Sequence, residues 1–212
     1  MKPNANAVSC SFFSKTGSVL RNTVFYVATC LVLVFNLASC DMKPEILVDG
    51  GSVNAESYMW CLGTTFDQKW SLVAGVLVGT QINPPINIPS NLFTRGRPFP
   101  SEFRVRWFHF GEQKFYEARL TDSALQEKAF AFVKRHNAFN YDKQLYVSIY
   151  DSGKVEFWFG LISVPTHEKK HIELLGSTQG FEVEGDASAW AEQTMFGIKK
   201  GWLPASVLDT KK

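Results

Sequence analysis

The chain has little net charge. Its 22 basic and 20 acidic side chains leave +2 at pH 7 over 212 residues, which excludes the concentrated basic field that nucleic-acid binding needs. Catalytic signatures are also missing: there is no Gly-x-Ser-x-Gly elbow, no His-Glu-x-x-His and no phosphate-binding glycine loop. Neither an internal repeat nor a low-complexity tract is present. Histidine is scarce, and only His167 and His171 have the spacing of half a zinc site. No Cys-x2-Cys accompanies them, and Glu168, Lys169 and Lys170 make that stretch a solvated charge run. The expectation is a protein with no catalytic residue, no metal and no cofactor. Long apolar runs are almost absent as well. The one at residues 24–37 falls short of the roughly 20 residues a spanning helix needs.

That run is nevertheless the most informative stretch. Lys15 and Arg21 precede it, no acid occurs before Asp41, and small residues Ala38 and Ser39 follow it. A basic segment, an apolar segment and small residues before a cut are the parts of a secretory signal. The ending Leu37-Ala38-Ser39-Cys40 resembles the lipobox of bacterial lipoproteins. The resemblance implies cleavage before Cys40 and acylation of its thiol by palmitate-type chains, which anchor the protein in a lipid bilayer. An uncleaved N-terminal membrane helix is the alternative. Asp41 resembles the signal that retains lipoproteins in the inner membrane, with the outer membrane as the other possibility. The location expected is the cell envelope, facing the periplasm.

Removing residues 1–39 takes away three basic residues and no acid, so the processed chain has net charge −1. Cys10 and Cys30 leave with the signal and Cys40 is lipidated, which leaves Cys61 without a disulfide partner. Its apolar setting, Tyr58-Met59-Trp60-Cys61-Leu62, reads as that of a buried small side chain. The organisation expected is a signal peptide over 1–39, a lipidated flexible tether over 40–55 containing Pro44 and Gly50-Gly51, and one domain over 56–212.

Within that domain, residues 57–62 and 70–79 read as strands. Residues 81–101 hold five prolines, which bars a regular central strand and suggests an ordered edge or a contact loop. Residues 102–110 alternate, with Phe103, Val105, Trp107 and His109 on one face and Arg104, Arg106, Phe108 and Phe110 on the other. His109 reads as a core histidine. A strand over 114–120 follows Gly111 as a hairpin partner. The period then changes. Leu125, Ala129, Phe132, Val133 and His136 form a helical stripe over 123–136, with Ser123 and Gln126 at capping-box spacing. Residues 144–150 and 155–162 flank Asp151-Ser152-Gly153-Lys154, the clearest hairpin in the chain. Strands at 171–175 and 180–184 follow, then a helix over 187–200 capped by Asp186. The tail 209–212 reads as frayed. The fold class expected is α+β: a mainly antiparallel β-sheet with one or two packed helices.

Arg95, Arg97, Arg104 and Arg106 cluster in sequence. They read either as a solvated edge or as a contact surface for an acidic partner. Together with Phe99 they are the candidate partner-binding residues. The acids Glu182, Glu184 and Asp186 alternate and read as a polar strand face.

From Pro100 onward the order of features resembles a family of bacterial lipoproteins, domain-of-unknown-function family 2931. The matching residues are Phe103-Arg104-Val105-Arg106-Trp107 and Glu112-Gln113-Lys114-Phe115-Tyr116, then, after the helix, Leu145-Tyr146-Val147-Ser148-Ile149 and Gly153-Lys154-Val155-Glu156-Phe157-Trp158. Tyr58-Met59-Trp60 matches an early aromatic element, while residues 68–89 depart from the family's pattern. Proteins that look like this include periplasmic immunity lipoproteins paired with phospholipase effectors of type VI secretion systems. The resemblance therefore implies a membrane-anchored protein that neutralises a secreted antibacterial phospholipase by binding it. The alternative is an envelope lipoprotein that maintains the envelope or takes a small ligand in an aromatic pocket around Trp107 and Trp158.

Overall fold

A computed structural model describes residues 45–72, 75–79, 91–163 and 169–211. The signal segment 1–39, Cys40, Asp41, residues 81–90 of the proline-rich stretch and His167 lie outside the described residues. No helix among the described residues is long and apolar enough to cross a membrane.

The fold is α+β, and the described residues form two mainly antiparallel sheets with two α-helices. The strands are β1 (Leu47–Ala55), β2 (Met59–Phe66), β3 (Trp70–Leu72), β4 (Gly75–Leu77), β5 (Asn91–Pro98), β6 (Glu102–His109), β7 (Lys114–Thr121), β8 (Asp142–Ile149), β9 (Lys154–Ile162), β10 (Lys169–Gln179) and β11 (Phe181–Val183). Helix α1 (Leu125–Arg135) separates β7 from β8, and α2 (Ala191–Lys199) follows a 3-10 turn at Ala187–Trp190. The first sheet has the order β10-β9-β8-β1-β5. The second has the order β11-β7-β6-β2-β3, and β4 also pairs with β2. Among the described residues only the β1–β8 pairing is parallel.

Period-2 alternation builds the core. Phe103, Val105 and Trp107 on β6 and Val155, Phe157, Phe159 and Leu161 on β9 are at most 1% exposed. Phe103 meets Phe157 at 4.6 Å between ring centroids, so the two sheets face each other across one apolar layer. The hairpin expected between β8 and β9 forms in the expected register, with Leu145, Val147 and Ile149 opposite Phe159, Phe157 and Val155. Gly153 supplies its positive φ, +78°. Helix α1 buries Leu125, Ala129, Phe132 and Val133, and Phe132 packs 5.8 Å from Phe159. Asn137 ends it at φ +50°, with Ala138 N–H bonded to Val133 O at 3.0 Å.

Several expectations need correction. The tether over 40–55 does not extend through its second half, because Leu47–Ala55 is a strand between β8 and β5. Gly51 serves close approach: a Cβ there would stand 2.8 Å from Leu145 O. The strand expected over 70–79 is two short strands, β3 and β4, both paired with β2. The described part of the proline-rich stretch agrees with the ordered edge expected of it: it contains β5 at a sheet edge, where missing ladder donors are tolerated. The capping box is not used. Ala124 occupies the N-cap without a side-chain bond, and Asp122 Oδ1 accepts from Ala124 N–H at 2.8 Å instead. The last helix divides into the 3-10 turn and α2, with Asp186 accepting from Ser188 N–H as a cap. The tail expected to fray is a 3-10 segment, Ala205–Lys211, that buries Val207.

This C-terminal segment creates a second apolar layer on the outer face of the second sheet. Tyr58, Phe108, Phe110 and Phe115 pack there with Leu203 and Val207. Tyr58 stacks on Phe110 at 4.3 Å, and Trp60 meets Trp190 at 4.8 Å.

Candidate binding surface

The C-terminal segment covers Phe108 and Phe110, but the same face of β6 also carries Arg104 and Arg106. Here β6 lies between β2 and β7. Arg104 and Arg106 stand opposite Thr65 and Gly63 on β2, and opposite Arg119 and Glu117 on β7. A bulge between Cys61 and Gly63 shifts the β2 register beside Arg106. The two arginines, with Leu62, Gly63 and Thr65, line an open groove of about 260 Å³.

The groove's charges are interlocked. Arg104 donates twice to Glu117, through Nε at 2.8 Å and Nη2 at 2.7 Å. Arg106 Nε lies 3.7 Å from the same carboxylate and has no hydrogen-bond partner among the described residues. Arg119 Nε stands 3.2 Å from Glu102. Three guanidiniums therefore face two carboxylates. The Glu117 side chain is 12% exposed, against 39% for Arg104 and 43% for Arg106. The Arg104 hydrogen bond, reinforced by the charges of Arg104, Arg106 and Arg119, holds the Glu117 carboxyl below its ordinary value. On the neighbouring strand Phe181, 55% exposed, stands opposite Glu117. A net-positive guanidinium row beside an exposed ring can receive carboxylate or phosphate groups in bidentate geometry.

The structure divides the five candidate residues. Arg104 and Arg106 come together on this face. Arg97 is exposed on β5, in the other sheet, opposite Val48. Arg95 is also on β5, and its side chain lies outside the described residues. Phe99 is a core residue and not a contact residue: it is 5% exposed and packs edge-on against Phe159 at 5.2 Å. Sequence reasoning missed Glu102, Glu117, Arg119 and Phe181. The first three could have been found by extending the hairpin register back from Gly111.

Other expected sites resolve plainly. Trp107 faces the core, whereas Trp158 lies on the opposite face of β9 from Phe157 and Phe159, so the two do not share a pocket. His171 stacks on His136 at 3.8 Å. Among the described residues no group of three His, Cys, Asp or Glu is placed to hold a metal ion. Glu182 pairs with Lys114 at 2.6 Å. Cys61 is fully buried and burial pushes its thiol up, in keeping with a small apolar role. No family model matches this chain, and neither a curated protein nor a solved structure matches it.

Proposed function

We propose that this protein is a lipoprotein, anchored through acylated Cys40 on the periplasmic side of the envelope, and that it acts by binding. Its partner in this reading is a secreted antibacterial phospholipase, which it neutralises as an immunity protein. The observation that carries the reading is the open guanidinium row of Arg104, Arg106 and Arg119, whose charge the two glutamates only partly offset. An acylated Cys40 keeps the protein on the bilayer that a phospholipase must reach. Docking there covers the lipase's active site or its membrane-contact face, and neither mode needs a catalytic residue from this chain. Asp41 favours the inner membrane, with the outer membrane as the alternative.

The test is co-purification of the lipidated protein from detergent-solubilised envelope, with intact mass measured on the bait. An acylated mass beginning at Cys40 and a stoichiometric lipase support the reading. Replacing Arg106, a side chain 43% exposed, by Gln should weaken capture about tenfold or more while lowering stability by at most about 1 kcal/mol. An unprocessed mass removes the anchor. Failure to capture a lipase from cells that express one removes the immunity role.

A further inference from the structure

A polar cleft of about 100 Å³ lies where β10 leaves the first sheet and the chain continues as β11 in the second. The turn of the β6–β7 hairpin contributes His109, Glu112 and Tyr116, and the turn of the β8–β9 hairpin contributes Asp151. His109 is 9% exposed. Its Nδ1 accepts the Glu112 N–H at 3.2 Å, so the proton of the neutral ring sits on Nε2. Among the described residues that Nε2 has no hydrogen-bond partner. It faces Asp151 Oδ1 at 3.5 Å and Glu112 Oε1 at 4.0 Å.

The surroundings are acidic and aromatic. Tyr116 donates to Glu112 and stacks on Trp107 at 5.5 Å. Tyr150 donates to Glu156, and Asp151 N–H is bonded to Glu56. The lysines nearest the two turns are engaged elsewhere, Lys114 on Glu182 and Lys154 on Glu156, each at 2.6 Å. Asp151 and Glu112 are 50% and 43% exposed, so solvent reaches their carboxylates while the imidazole behind them stays buried.

We propose that this cleft receives a small organic cation, a guanidinium or primary ammonium group, held between Asp151 and Glu112 against the Tyr116 ring. His109 fixes Asp151 from behind: closing the 3.5 Å gap by a few tenths of an ångström gives its buried N–H the acceptor it lacks. The volume suits a cationic head group and not a larger solute, and an aromatic wall adds attraction for a cation. The site differs from the arginine groove in position and in sign of charge, and it does not depend on the immunity reading.

The test is a titration of the full-length lipidated protein in detergent, following the Trp107 indole and the Gly153 and Gly180 amides by NMR. The probes are methylguanidinium and ethylammonium, with sodium chloride of equal ionic strength as reference. Saturable shifts confined to the cleft are expected, and Asp151→Asn should weaken them about tenfold or more while the unfolding midpoint holds. Glu112→Gln, at the second carboxylate, should act in the same direction. N-acetyl-arginine methylamide separates the sources. Binding as tight as that of the free cation points to a side chain displayed by a partner, and much weaker binding points to a free small cation. Shifts that do not saturate, that sodium chloride reproduces, or that survive Asp151→Asn would overturn the proposal.

Discussion

Glu117→Gln is the most discriminating perturbation of the groove, because the amide keeps the shape of the carboxylate while removing its charge and one of the two acceptor oxygens that Arg104 uses. The carboxylate accepts two bonds from Arg104 at 2.8 and 2.7 Å and faces Arg106 at 3.7 Å. Exposed ion pairs contribute about 0.2–1 kcal/mol, and breaking a fully buried pair costs about 3–5 kcal/mol. Here the acid is 12% exposed and its partner 39%. The expected cost at neutral pH is therefore between those limits, about 1–2 kcal/mol. A loss of that size moves a urea midpoint by roughly 0.5–1 M.

The pH dependence gives a second handle. The Glu117 carboxyl sits below its ordinary value of 4.5 in the folded protein. A depressed folded value means that the stabilisation is complete above the unfolded value and is lost as pH falls through the folded one. The parent protein should thus lose this increment on acidification, while Glu117→Gln has none to lose. The two stabilities should converge below pH 4.5. Urea unfolding followed by tryptophan fluorescence at neutral and acidic pH measures both effects. A difference below about 0.3 kcal/mol at neutral pH, or one that stays constant on acidification, would refute the argument.

Other consequences can be checked with the same assay. Phe157→Ala, at a fully buried ring 4.6 Å from Phe103, should cost about 3–5 kcal/mol. Gly51→Ala places a Cβ 2.8 Å from Leu145 O and should cost about 1–3 kcal/mol; a neutral outcome would return residues 47–55 to the status of a linker. Cys61, at 0% exposure, should resist a thiol reagent in the native protein and react at the rate of unfolding. Fast modification of the folded protein would contradict its placement.

Local signals in the sequence marked what depends on local structure. The β8–β9 hairpin, the α1 stripe and the alternation of β6 are written in spacings of two to four residues, and the structure keeps them. Strand β1 was hidden because its meaning is non-local. Gly50 and Gly51 imitate a linker, yet they pair with Gln144 and Leu145, far along the chain. A parallel pairing has no adjoining turn to announce it. Gly51 is explained only once Leu145 O is known to approach.

The binding surface shows the same limit more sharply. Arg95 and Arg106 are close in sequence, but the chain passes from β5, at the edge of one sheet, to β6, in the middle of the other. Arg97 and Arg104 therefore belong to different sheets, and Phe99 between them turns into the core. Alternation correctly placed Arg104, Arg106, Phe108 and Phe110 on one face of β6. It could not say where the cover on that face ends, because the cover comes from residues some eighty positions later. Trp190 and Leu203 close over the phenylalanines, whereas Glu117 and Glu102 are the neighbours of the arginines. The groove exists because one strand changes from an apolar to a charged outer face at the boundary of the C-terminal segment. A change that displaced that segment would enlarge the groove and expose Phe108 and Phe110. Variants of the groove are thus informative only when the C-terminal packing is shown to be intact, for instance by unchanged fluorescence from Trp190 against Trp60.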